Sequence, residues 1–258
     1  MGLVRTDDWL LNNREETFEL LRPFFNESSV EEIEAHLQQF GMLSPSYKAL
    51  DEIVKSLQKN QFWSLLEEEF ITLRELWDGP DIPIFIFPSN IQNEQLVEKY
   101  NGLSGLAFKD KLFIFLSKHN NPLDAKILLT HEYHHVCRLN KYDKKEDDYT
   151  LLDTIILEGL AEYAVLERFD EDALKSWLID YDNDTLHEMY EKYIARHINV
   201  SKNVFLHDVL LYGLEASLPP MVGYAVGFYL VKTYMNQYQT NSFEVIGTDS
   251  KIIAQIID

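Results

Sequence analysis

Cysteine is nearly missing from the chain: Cys137 is the single one, so no intrachain disulfide can form. One free thiol fits a reducing compartment. Cationic side chains are also scarce, with 23 Lys and Arg against 43 Asp and Glu and a net charge of −20. Nucleic acids and anionic membrane surfaces both require a basic patch, so neither is expected as a partner. Long apolar runs are absent as well. The longest uncharged stretch, Ala216 to Val231, is too short to span a bilayer and carries Pro219 and Pro220, so it reads as a buried helix. The first residues, Met-Gly-Leu-Val-Arg-Thr, lack the apolar segment of a signal peptide. Gly2 and Thr6 match the myristoylation pattern in form, but an ordinary start beside an acidic helix is the simpler reading. There is no repeat and no low-complexity tract. These absences together lead us to expect a soluble, cytoplasmic protein.

What is present suffices for a full core: 258 residues, 46% of them apolar, need no disulfide or metal staple. Residues 7 to about 78 read as helix throughout. Val30, Ile33, Leu37 and Phe40 recur at three- and four-residue steps behind a Ser28 or Ser29 cap, and a third helix is expected near Ser44-Pro45. Glu67-Glu68-Glu69 reads as a solvated face, and Gly79-Pro80 as a stop. The texture then changes. Ile82 to Phe87 is a β-rich run, and Gly102 to Phe108 and Lys111 to Ser117 read as a hairpin closed at Lys109-Asp110. Asn121-Pro122 opens a helix that runs to about Leu139, and a second helix spans Leu151 to about Phe169. The expected organisation is an N-terminal helical region, 1–78, and a second domain, 79–258, or one continuous domain. The expected fold class is α+β, mostly helical.

The chemistry is concentrated in Thr130-His131-Glu132-Tyr133-His134-His135. His131 and His135 are one helical turn apart, so their imidazoles share a face and can reach one zinc ion. Glu132, beside the first ligand, is placed to take a proton from water at the metal, which is the mechanism of the H-E-x-x-H motif. A catalytic zinc takes three protein ligands and keeps one position open. A third His six residues on is excluded, because Lys141 stands there. The other common form is a Glu on a following helix, and Glu158-Gly159-Leu160-Ala161-Glu162 supplies it. Small Gly159 and Ala161 would let this helix pack closely on the first. Glu162, one turn after Glu158, is suited to accept the outer N–H of a ligand imidazole.

These motifs resemble those of the glutamate-type zinc peptidases, the gluzincins, and more closely the YjaZ-like family of predicted zinc-dependent proteases. The matching stretches are His131 to Val136, Glu158 to Tyr163 and Gly223-Tyr224-Ala225-Val226-Gly227-Phe228, and the resemblance covers roughly residues 80 to 258. It implies a zincin-like metallopeptidase core with a small sheet before the H-E-x-x-H helix. It implies one Zn2+ per chain on His131, His135 and Glu158, with Glu132 as general base and then acid and Glu162 orienting an imidazole. The hairpin would offer an edge strand, Ser104, Gly105, Leu106, Ala107 and Phe108, on which a peptide or unfolded protein substrate pairs. No Gly-x-Met-Glu-Asn sequence precedes the hairpin, which favours an endopeptidase over an aminopeptidase.

Other residues have plainer readings. His134 points roughly 100° away from His135 on the helix and suits packing. His187-Glu188 begins a near-miss motif ended by Glu191, and Cys137 reads as a small buried residue. Arg138 is expected to pair with a nearby carboxylate. Amide hydrolysis develops an oxyanion that a Tyr or His can stabilise. Tyr224, His207, Tyr212 and Tyr163 are the candidates, with Tyr224 favoured. The alternative to a peptidase is a zinc-binding regulatory or partner-binding protein with little or no protease activity.

Overall fold

The stretch that reads as continuous helix is broken by its own turns, and a strand precedes it. The structure is a computed structural model that describes residues 2–256. It comprises two units, Met1–Val136 and Cys137–Asp258. The first begins with β1 (Gly2–Val4), followed by α1 (Thr6–Asn12), α2 (Thr17–Leu21), α3 (Val30–Gln39), α4 (Leu50–Lys59) and α5 (Phe62–Trp77). Ser29 caps α3: its hydroxyl accepts from the Glu32 N–H at 3.2 Å, and the Glu32 carboxylate accepts from the Ser29 N–H at 2.8 Å. The third helix does not start at Ser44-Pro45. The Ser44 and Ser46 hydroxyls bond each other there at 2.8 Å in a turn, and α4 starts at Leu50. The expected acidic face holds for Glu67 and Glu68, but Glu69 is buried and pairs with Lys126 at 3.1 Å.

Next come β2 (Pro83–Pro88), α6 (Glu94–Tyr100), β3 (Ser104–Ala107) and β4 (Leu112–Leu116). Among the described residues they join β1 in one sheet of order β1-β2-β4-β3, with β3 antiparallel to β4 and the other pairs parallel. The hairpin is as expected, except that Phe108 lies past the strand. Its N–H closes the turn onto the Lys111 carbonyl at 2.9 Å. Side chains alternate across the sheet. Phe85 stacks on Phe113 at 4.9 Å, and Phe24 and Trp9 cover Phe85, so this face buries aromatic surface against the N-terminal helices. Because β1 pairs with β2, the N-terminal helices and the sheet share one unit.

The long helix α7 (Pro122–Lys141) follows. Asn121 and Asp124 cap it reciprocally, each side chain accepting from the other's N–H at 3.0 Å. Tyr133 anchors it: the hydroxyl donates to the Pro80 carbonyl at 2.9 Å, and the ring meets Phe70 and Trp77. The division between the units falls inside α7, whereas the composition of the chain changes at 78/79.

In the second unit lie α8 (Leu151–Phe169), α9 (Ser176–Ile179), α10 (Asn183–Met189), a π-helical turn at Tyr190–Ile194, α11 (Phe205–Tyr212), α12 (Val222–Tyr238) and α13 (Ser250–Ile253). Leu151, Ile155, Leu160, Val222, Val226 and Leu230 belong to its core. The missing side chain of Gly159 lets α8 close onto α12, where a Cβ would stand 2.4 Å from the carbonyl of Gly227. The fold is therefore α+β and mostly helical, and no described helix is long and apolar enough to cross a membrane.

Candidate metal centre

The ligand-bearing stretch lies in the middle of α7, where the backbone is regular. The one-turn spacing puts the imidazoles of His131 and His135 on one face, with Nε2 atoms 3.0 Å apart and rings nearly perpendicular at 86°. Two nitrogens held about 2.0–2.1 Å from a tetrahedral zinc are about 3.3 Å apart, so the pair stands near that separation. His135 is buried and His131 half-buried. Glu158 completes a set in which each residue offers one ligand atom and all three atoms lie within 4.8 Å of one another. Two imidazoles and a carboxylate are a donor set that suits zinc and leaves a fourth position for a reactant. The residues present therefore fit a divalent metal.

Glu132, next to His131 and half-buried, turns toward the sheet. A Cβ built on Gly105 would stand 2.4 Å from its Cγ and Cδ and 2.5 Å from its Oε1, so the carboxyl occupies the space a side chain at 105 would take. Gly105 lies in the edge strand β3. The 108/111 pair is hydrogen-bonded, and hydrogen-bonded pairs alternate along an antiparallel ladder. Leu106 and Ser104 therefore bond to β4, while the main-chain groups of Gly105 and Ala107 are directed away from it. Gly105 was visible in the sequence only as part of a strand. Its proximity to Glu132 had no local signal beyond a glycine where a strand prefers a side chain.

Glu162 lies one turn beyond Glu158 on α8 and is buried, at 8% exposure. A carboxylate there is in an environment that burial makes costly unless it is hydrogen-bonded or paired. His134 is fully buried, with its ring edge-on to Trp77 at 5.2 Å, which matches its expected packing role. Cys137 is buried, and His187 lies exposed on α10.

Arg138 has carboxylates nearby, as expected, but also main-chain acceptors. It is fully buried and donates to the carbonyls of Ile246 and Thr248 at 2.9 and 3.1 Å and to the Ser250 hydroxyl at 3.1 Å, with its guanidinium 4.3 Å from the Tyr142 ring centre. Main-chain carbonyls of the C-terminal segment are thus direct acceptors, Ser250 links the guanidinium to the Asp153 carboxylate, and although burial lowers the Arg138 pKa, the nearby carboxylates of Asp153 and Asp249 favour its charged form.

Among the candidate oxyanion donors, His207 is already committed. Its Nδ1 bonds Asp208 and its Nε2 bonds Thr154, both at 2.9 Å. Tyr163 packs on Phe228, and burial, with Glu167 nearby, pushes its phenol pKa up. Tyr224 is half-buried on α12, 6.0 Å from the ring of Tyr212.

Comparison with known proteins adds an independent line. The family model described as "Predicted Zn-dependent protease" matches residues 62–255, a range that contains every residue named above as ligand, base or oxyanion donor. The chain is similar to the "Uncharacterized protein YjaZ" of Bacillus subtilis (strain 168), 42% identical over 200 residues that cover 78% of this chain and 76% of that protein. It is also similar to the "Uncharacterized protein YjfC" of the same organism, 28% identical over 185 residues that cover 68% of this chain and 61% of that protein. No solved structure gives a significant match.

Proposed function

The chain belongs to the family of predicted Zn-dependent proteases, and from that premise we propose that it is a zinc metallopeptidase that hydrolyses internal bonds of extended peptides or unfolded protein segments. The observation that carries the reading is the convergence of the His131, His135 and Glu158 ligand atoms, with Glu132 adjacent in α7. The fold around them is read as zincin-like.

His131, His135 and Glu158 would hold one zinc ion. When bound, zinc supplies Lewis acidity that polarises a carbonyl and acidifies a water. Glu132 accepts the proton of the attacking water on its carboxylate and returns it to the leaving amine, which would otherwise depart as an unstable anion. Glu162 orients a ligand imidazole by accepting its outer N–H. Tyr224 donates its hydroxyl to the developing oxyanion. The outward main-chain groups of Gly105 and Ala107 bind the peptide as an added strand, so affinity comes mainly from backbone hydrogen bonds and tolerates varied side chains. The acidic balance of the chain supports a protein that engages neither nucleic acid nor anionic membrane surfaces.

The test is an unbiased peptide-library digest by wild type and by Glu132→Gln, with zinc measured in both. Gln keeps the shape of the side chain and removes the base. Cleavage should fall about 10²–10⁴-fold at unchanged zinc content. Equal cleavage at equal zinc would exclude Glu132 as the base. A wild type that holds zinc and cleaves nothing would favour the partner-binding alternative.

A further inference from the structure

Glycine in the interior of a strand is unfavourable, because it has no side chain to pack and loses the most backbone entropy. At position 105 the backbone does not demand it: Gly105 is not among the residues with positive φ and lies within the regular ladder of β3. The closest obstacle to a side chain is one neighbour. The nearest atoms to a Cβ at 105 are Cδ, Cγ and Oε1 of Glu132, at 2.4, 2.4 and 2.5 Å, well inside contact distance.

We propose that Gly105 is a positioning residue for Glu132: the side chain missing from this one strand position lets the carboxylate lie against the substrate-binding edge of β3. The inference rests on the peptidase reading given above. Two properties of position 105 coincide. Its Cβ direction faces the Glu132 carboxyl, and its N–H and C=O are directed off the free side of the strand. A peptide paired in register with Gly105 therefore brings its own main chain beside that carboxylate. Any Cβ at 105 forces the carboxyl to swing away by about 1 Å to reach normal contact, and a displacement of that size at a reacting group costs on the order of 10²-fold in rate. The conflicting atoms, Cγ, Cδ and Oε1, all belong to the Glu132 side chain and none to the backbone, so a change of its χ angles relieves the clash and the carboxylate is what moves.

The experiment is a double-substitution cycle with two readouts. In the zinc-loaded chain, Gly105→Ala should lower kcat about 10²-fold with zinc content kept and KM little changed. Added to Glu132→Gln it should cost nothing further, because the base is already gone. In the metal-free chain, melting reads the contact itself. The Tm shift caused by Gly105→Ala should be about 2–4 °C less favourable with Glu132 present than in the Glu132→Ala background. Equal Tm shifts in the two backgrounds, or a kcat loss that multiplies with that of Glu132→Gln, would overturn the positioning role while leaving an active wild type as a peptidase. A zinc-loaded wild type without peptide cleavage would overturn the peptidase reading, and the catalytic purpose of Gly105 with it.

Discussion

Gly159 and Gly227 meet backbone to backbone: a Cβ at 159 would stand 2.4 Å from the Gly227 carbonyl carbon and oxygen, and a Cβ at 227 only 1.9 Å from the Ile155 carbonyl oxygen. This contact sets how closely α12 approaches α8, the helix that carries Glu158 and Glu162. Gly227→Ala meets the rigid backbone of Ile155 and cannot be absorbed by a rotamer change. We expect it to destabilise the chain by about 3 kcal/mol, read as a lower denaturation midpoint. An unchanged midpoint would show that the two helices separate at little cost.

Zinc should be retained at about one ion per chain, measured by elemental analysis of the purified protein. His131→Ala should lose most of it, since a single imidazole and a carboxylate remain from the set. Wild-type protein that holds no divalent metal after zinc is supplied would remove the basis of the metal centre.

Glu162→Ala separates a ligand from a group that steers one. Loss of the carboxylate proposed to orient an imidazole should weaken zinc affinity or activity by roughly 10–100-fold, less than loss of a ligand. Competition with a chelator measures it directly. An affinity equal to wild type would place Glu162 outside the ligand network.

Asp153 makes one region sensitive to acid. Burial pushes its carboxyl pKa up, but Lys144 at 2.5 Å, the Thr150 N–H and hydroxyl at 2.9 Å, and the Tyr142 hydroxyl at 2.9 Å more than offset this, and the net shift is downward. A depressed folded-state pKa stabilises the fold above the unfolded value, near 4, and that contribution is lost as pH falls through the folded-state pKa. Asp153→Asn should therefore cost about 1.5–3 kcal/mol at neutral pH, with the gap to wild type closing below about pH 4. Urea melts at pH 7 and pH 3 test this; a gap of undiminished size at pH 3 would assign the penalty to packing.

Long elements with a one-sided apolar pattern were legible from local information. The helix expected over Leu151 to Phe169 has those bounds, and the hairpin and the Asn121-Pro122 start of α7 are where turn chemistry puts them. Short elements were not. β1 has three residues, too few to show alternation, and it is a strand because the edge of β2 pairs with it. α6 is short and largely polar, held by the Asn93 side chain accepting from the Leu96 N–H. Glu69 lay in an acidic run that reads as solvated, and its burial goes with an ion pair to Lys126 from α7, a contact no local pattern shows.

The sequence by itself determined the chemistry of the candidate centre, because helical spacing alone puts His131, Glu132 and His135 on adjacent positions of one turn and residue type decides what each can bind or protonate. It also led us to expect a carboxylate on a later helix, and Glu158 supplies one within 4.8 Å of the two imidazole nitrogens. Tertiary structure decided what lies around them. Arg138 binds the Ile246 and Thr248 carbonyls as well as facing the carboxylates of Asp153 and Asp249. Gly159 serves α12. The Glu132 carboxyl rests in the space left open by Gly105. Each of these pairs residues far apart in the chain, and no local periodicity encodes such a contact; it exists only once the backbone has brought the two segments within van der Waals reach.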